Sequence, residues 1–138
     1  HWNLRKIAEC ARKQKGLLLS ALEAVRPGGL VLYCTCSFAP EENEAVVDHV
    51  LQQAQGGVFV EALNIPLPNA IPGLTKWQGR EYHPSLELAC RILPTHEMHG
   101  FFMCRLRKGE EATETYRRRE RKWSRSPKHR ARGKDALS

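Results

Sequence analysis

Two thiols two residues apart, Cys34 and Cys36, close the apolar run Leu30-Val31-Leu32-Tyr33-Cys34-Thr35-Cys36. A thiol placed where such a run gives way to a helix meets the partial positive charge of the helix N-terminus, which favours the nucleophilic thiolate. Cys36 is at that end. In open α/β sheets ligands collect outside the carboxyl ends of the strands, so position and type together make Cys36 a candidate for covalent catalysis. An inert reading stands beside it, because free cysteine is among the most often buried residues. Cys34 shares the strand face of Cys36 at i and i+2, and packing is its default role.

Three other groupings offer chemistry of lower specificity. Cys34 and Cys36 with His96 and His99 supply thiolate and imidazole donors, but C-x-C on a strand with H-x-x-H on a loop is weaker than paired C-x-x-C knuckles, so no metal is expected. Glu41, Glu42 and Glu44 could act as acids or bases, yet carboxylates in a first helical turn commonly stabilise the helix dipole. Asn43, between them, is expected to fix the neighbouring loop by hydrogen bonds to its backbone. Phe101 and Phe102 resemble a base-stacking pair, although adjacent strand residues face opposite ways and the core is the expected place for them.

The elements that position these residues follow from periodicity. Leu4, Ile7, Ala8, Ala11, Leu18, Ala21, Leu22 and Val25 make one stripe on a helix of about six turns. Arg26-Pro27-Gly28-Gly29 ends it. The run from Leu30 lacks period-2 alternation, the pattern of a central strand covered on both faces. Pro40 stands at the expected first position of the next helix, whose inward face is Val46, Val47, Val50, Leu51 and Ala54. Gly56-Gly57 closes it before a second strand over residues 58–63. Residues 65–85, rich in proline and glycine, read as a long loop. Residues 88–93 and 101–106 read as an antiparallel hairpin at the sheet edge. The class is α/β.

At 138 residues the chain has room for one domain. Its formal charge is 22 − 15 = +7, concentrated after position 107, where Arg117, Arg118, Arg119, Arg121 and Lys122 form a dense basic run. The expected division is residues 1–107 as folded domain and 108–138 as a disordered basic tail. Such a tail points to a polyanionic partner, RNA before membrane, since no amphipathic apolar face accompanies the charge. Tyr116 and Trp123 could stack on unpaired bases. A solvated terminus or a nuclear-address segment is the plainer reading of the same residues. No apolar run reaches the roughly 18 residues of a membrane span. The five cysteines are odd in number and lack a disulfide rhythm, which fits a reducing compartment, nucleus or cytoplasm. The sequence opens on His1 with a helical pattern under way by Leu4, so it is expected to be part of a longer protein.

Several of these segments together resemble the Nop/Sun family of RNA cytosine-5 methyltransferases. They are Gln14, the helix through Val25, Arg26-Pro27-Gly28-Gly29, Tyr33-Cys34-Thr35-Cys36-Ser37, Pro40-Glu41-Glu42-Asn43-Glu44 and Gly100-Phe101-Phe102-Met103-Cys104-Arg105-Leu106. The likeness runs from His1 to about Lys108, in matching order and spacing. It implies the C-terminal part of a Rossmann-like, S-adenosylmethionine-dependent catalytic domain with a mostly parallel sheet and an antiparallel edge strand. It also implies that the cysteine of the Thr-Cys pair, here Cys36, attacks carbon 6 of cytosine in ribosomal or transfer RNA. Family members usually carry serine where this chain has Cys34. The family's glycine-rich cofactor loop, its acidic ribose ligand and its Pro-Cys pair would all lie before His1, so no cofactor-binding residue is assigned. Cys34 lacks a preceding proline and is not that second cysteine. Two alternatives remain open: a methyltransferase of similar body acting on another nucleic-acid position, and a non-catalytic RNA-binding or scaffold protein.

Overall fold

A computed structural model of the chain describes residues 3–110. The basic run Arg117, Arg118, Arg119, Arg121 and Lys122 lies outside the described residues. Helix α1 spans Leu4–Ala24 and begins on the side chain of Asn3, which accepts from the Arg5 amide at 2.9 Å. Strand β1 follows at Leu30–Thr35, then a 3-10 turn at Pro40–Glu42, helix α2 at Glu44–Ala54 and strand β2 at Val58–Glu61. The stretch expected to be a loop carries three short strands, β3 (Ala70–Pro72), β4 (Lys76–Trp77) and β5 (Arg80–Glu81), and a 3-10 turn at Pro84–Leu88. Strands β6 (Cys90–Ile92) and β7 (Phe101–Lys108) complete the described chain.

The architecture is a two-layer α/β arrangement. Both helices pack on the sheet face that Val31 and Tyr33 share with Phe102, Cys104 and Leu106. Val46, Val47 and Val50 of α2 and Leu18 and Leu22 of α1 fill the space between. These lie on the stripes the periodicity predicts, and burying each such side chain contributes about 1.5–3 kcal/mol, whereas Leu4, Ala8 and Ala21 of the first stripe are exposed.

Three expectations about the sheet give way. The sheet was expected to be mostly parallel, whereas every pairing among the described strands is antiparallel. The hairpin of β6 and β7 forms as expected, but β7 is not at the edge. It lies between β1 on one side and β2 with β6, end to end, on the other. β1 and β2 thus run in the same direction, joined by the α2 crossover, with β7 inserted between them. A βαβ unit was legible; the strand that separates its two parallel members arrives from 40 residues further on and leaves no local trace.

The third difference concerns β1, expected to be covered on both faces. Its burial alternates, with Leu32 55% exposed and Val31 and Tyr33 turned to the core. The reason is that α1 and α2 cover one face only, and β1 pairs with β7 alone among the described strands.

Lys108, placed with the tail from its composition, is the buried last residue of β7. Its ammonium donates to the carbonyls of Val25 at 3.0 Å and Glu23 at 3.4 Å, satisfying the end of α1.

Candidate active site

Cys36 lies immediately beyond the carboxyl end of β1 and is exposed. Its loop runs through residues 37–43 into α2. The helix therefore starts eight positions after the thiol, at Glu44, and the intervening 3-10 turn opens on Pro40. Proline suits that first position because its missing N–H has no intrahelical partner there.

The loop is held by its own side chains. Thr35 Oγ1 donates to Asn43 Oδ1, and Asn43 Nδ2 donates to the Ser37 carbonyl at 2.8 Å. Ser37 Oγ donates to Glu42 Oε2 at 2.6 Å and accepts from the Ala39 amide at 3.2 Å. Tyr33 Oη reaches the Glu42 carbonyl at 2.7 Å. Asn43 is fully buried, and its main-chain carbonyl accepts from the Val46 and Val47 amides as α2 begins. The expected backbone bond from Asn43 is therefore present. The residues on either side of Cys36 are thereby fixed, while its thiol faces solvent.

A second clamp reaches this loop from far along the chain. Glu44 is fully buried and takes a two-pronged ion pair from Arg91, Nε to Oε2 and Nη2 to Oε1, both at 2.5 Å. Glu44 Oε2 also accepts the Leu74 amide at 2.8 Å, and Arg91 Nη1 donates to the Phe38 carbonyl at 3.3 Å. The sequence favours a helix-dipole role for Glu44 over acid–base chemistry and does not single out Arg91. The available signal was a lone arginine inside an apolar strand-like piece, which a buried partner has to neutralise. The ring of Phe38 is held too: a Cβ at Gly100 would sit 2.4 Å from Phe38 Cε1 and 2.9 Å from the Ile92 carbonyl. Gly100 thus leaves the space in which Phe38 packs against the start of β7.

The remaining thiols differ in kind. Burial pushes Cys104 up to about 12, with smaller contributions from Glu44 and Cys34. Desolvation also raises Cys90 and Cys34, so Cys34 ionises less readily than a free thiol although it too is exposed. Burial raises the Tyr33 hydroxyl, helped by Glu42, and keeps it a neutral donor. The adjacent phenylalanines part as their alternation requires: Phe102 is fully buried and Phe101 points outward. Cys34, Cys36, His96 and His99 are not gathered; among the described residues no group of three or more His, Cys, Asp or Glu side chains could hold a metal ion. No helix among them is long and apolar enough to cross a membrane.

A shallow cavity of about 370 Å³ lies elsewhere, between Ala62–Pro66 on one side and Ile71, Leu88 and Cys90 on the other. It includes none of the residues of the Cys36 loop.

Comparison with known proteins bears on this site. A family model described as 16S rRNA methyltransferase RsmB/F matches residues 3–107. A 28S rRNA (cytosine-C(5))-methyltransferase of Mus musculus is 40% identical over 109 residues, covering 75% of this chain and 13% of the relative. A tRNA (cytosine(49)-C(5))-methyltransferase of Pyrococcus abyssi is 34% identical over 108 residues, covering 78% of this chain and 34% of the relative. Among solved structures, a methyltransferase homolog protein from Pyrococcus horikoshii superposes with a TM-score of 0.69 at 36% identity, over 78% of this chain and 34% of that one. The chain thus spans about a third or less of the length of these relatives. The match takes in α1, the Cys36 loop and its two clamps, and nearly all of β7, and the chain belongs to the RsmB/F methyltransferase family.

Proposed function

We propose that this chain is part of an S-adenosylmethionine-dependent RNA methyltransferase that modifies carbon 5 of cytosine in ribosomal or transfer RNA, with Cys36 as the nucleophile. The observation that carries the reading is the placement of Cys36, an exposed thiol beyond the carboxyl end of β1 whose loop is clamped on both sides. The names of its relatives support the acceptor, since both rRNA and tRNA cytosine-5 enzymes are among them.

A thiol is what this reaction requires. Carbon 5 of cytosine is a weak nucleophile. When Cys36 Sγ forms a bond to carbon 6, electron density moves to carbon 5, which becomes enamine-like and can take a methyl group. Loss of the carbon 5 proton then restores the double bond as the Sγ–C6 bond breaks and the thiolate leaves. The clamped loop contributes by holding Cys36 in one geometry relative to the base.

S-adenosylmethionine would supply the methyl group, but residues 3–110 do not fit it. The strand-to-helix junction between β1 and α2 contains no glycine-rich turn, and the side chains of Thr35, Ser37, Glu42 and Asn43 are bonded to one another and to their own backbone. Other residues of the complete enzyme hold the cofactor, and the isolated chain is expected to bind it negligibly by calorimetry. The unpaired state of all five cysteines supports a reducing compartment.

The test is mass spectrometry of the complete protein with RNA bearing 5-azacytidine. Nitrogen at ring position 5 carries no proton to lose, so the Cys36 adduct should persist. Wild type should gain the mass of the RNA and Cys36→Ala should not. An adduct that survives the substitution would place the nucleophile elsewhere.

A further inference from the structure

The segment between β3 and β6 contains a feature that the Cys36 chemistry leaves unexplained. Strands β4 and β5 form a hairpin of two residues on each arm, and all four are exposed. Gln78 and Gly79 connect them with φ of 48° and 77°. Two successive left-handed residues make the tight turn whose twist suits a hairpin, and glycine takes the second place without strain. So small a hairpin buries nothing of its own and is marginal in isolation.

Its base is nevertheless anchored firmly. The Tyr82 amide donates to the Thr75 carbonyl at 2.8 Å, and Tyr82 itself is buried in the core. The Leu74 amide donates to Glu44 Oε2 and the His83 amide to Asp48 Oδ1, both at 2.8 Å. Both arms are therefore tied to the first turns of α2, the helix into which the Cys36 loop runs. The hairpin stands at the Cys36 end of the molecule.

The register sorts its side chains. Trp77 faces Arg80 across the pair, and Lys76 faces Glu81. Since directly paired residues share a face, Trp77 and Arg80 lie on one side of the hairpin, and Lys76 and Glu81 on the other. Trp77 is 39% exposed. An exposed indole and a cation on one face, on a base fixed before any ligand arrives, suit a partner with flat rings and regularly spaced negative charge. A single-stranded nucleic acid has both.

We propose that the hairpin is a contact site for single-stranded RNA, Trp77 stacking on an unpaired base near the target cytosine and Arg80 engaging the adjoining phosphate. Stacking tolerates any base, so the site adds affinity and orientation rather than sequence choice. The proposal deepens the reading of the chain as part of an RNA methyltransferase and rests on it.

The experiment measures the dissociation constant of the complete protein for a single-stranded oligoribonucleotide containing one cytosine, by fluorescence anisotropy of a label on the RNA. Trp77→Ala should weaken binding about tenfold, the order of one lost base stack, and Trp77→Phe should recover most of it. Arg80→Gln should lower the slope of log affinity against log salt by about 0.7, as expected for one phosphate contact on a single strand. Affinity unchanged in Trp77→Ala, or weakened equally in Trp77→Phe, overturns the proposal. Adduct formation by wild type on 5-azacytidine RNA reports separately on Cys36, so failure of the hairpin and failure of the methyltransferase reading give different results.

Discussion

Residues 35–43 and residues 74–83 both attach to the beginning of α2, and they use their polar groups in opposite ways. In the first, Thr35, Ser37, Glu42 and Asn43 bond to one another and to nearby backbone, leaving the Cys36 thiol as the group turned outward. In the second, backbone amides at the base bond to Glu44 and Asp48, while the side chains of the tip stay in solvent. A connection that must hold one atom in one place is satisfied from within. One that must meet a variable surface is anchored at its base and open at its tip.

The largest expected effect that would sharpen this contrast is in thiol chemistry. At pH 8 Cys36 should be alkylated readily by iodoacetamide, whereas Cys104, pushed up to about 12, has about one thiol in ten thousand ionised and should not react until the protein unfolds. Because the shift is upward, raising the pH brings Cys104 into reach and lowering it does not. Peptide mass mapping after timed alkylation reads the order, and early labelling of Cys104 would mean that the core over the loop is open.

Next comes Arg91→Met, which strands the buried Glu44 carboxylate and should cost about 3–5 kcal/mol in denaturant unfolding. A loss under about 1 kcal/mol would show that the clamp from β6 is dispensable. Smaller, at about 1–3 kcal/mol, is the loss expected from Asn43→Ala, which deprives the Ser37 carbonyl and Thr35 hydroxyl of their buried partner. Smallest is Lys76→Ala on the hairpin, where stability should stay within about 0.5 kcal/mol. If the hairpin substitution destabilised as much as the loop ones, the two connections would not differ in kind.

What was legible in the sequence was what is local. The span of α1, the stop at Pro27-Gly28-Gly29 and the strand leading to Cys36 are short-range patterns and stand where expected, although Leu4, Ala8 and Ala21 of the expected stripe are exposed. Asn43 was legible for the same reason, since its partners Thr35 and Ser37 lie eight and six positions away. The Glu44–Arg91 pair spans 47 positions, and nothing in the first-turn carboxylates distinguished Glu44 from its neighbours. The interior place of β7 was hidden likewise, because strand order is decided by which edges meet in three dimensions and not by the run of residues that forms each strand. The β4–β5 hairpin escaped because two-residue arms carry no periodicity to read.

The union of Lys108 with the end of α1 ties the last described strand to the first helix. β7 runs against β1, so Arg107 sits beside Leu30 while Cys36 lies past the opposite terminus, about 20 Å away along six residues of strand. Lys108 therefore stands at the pole remote from Cys36. Whatever loosens one end of the β1–β7 pair thus leaves the other end held by separate bonds, Lys108 to the end of α1 at one and Asn43 to Thr35 and Ser37 at the other.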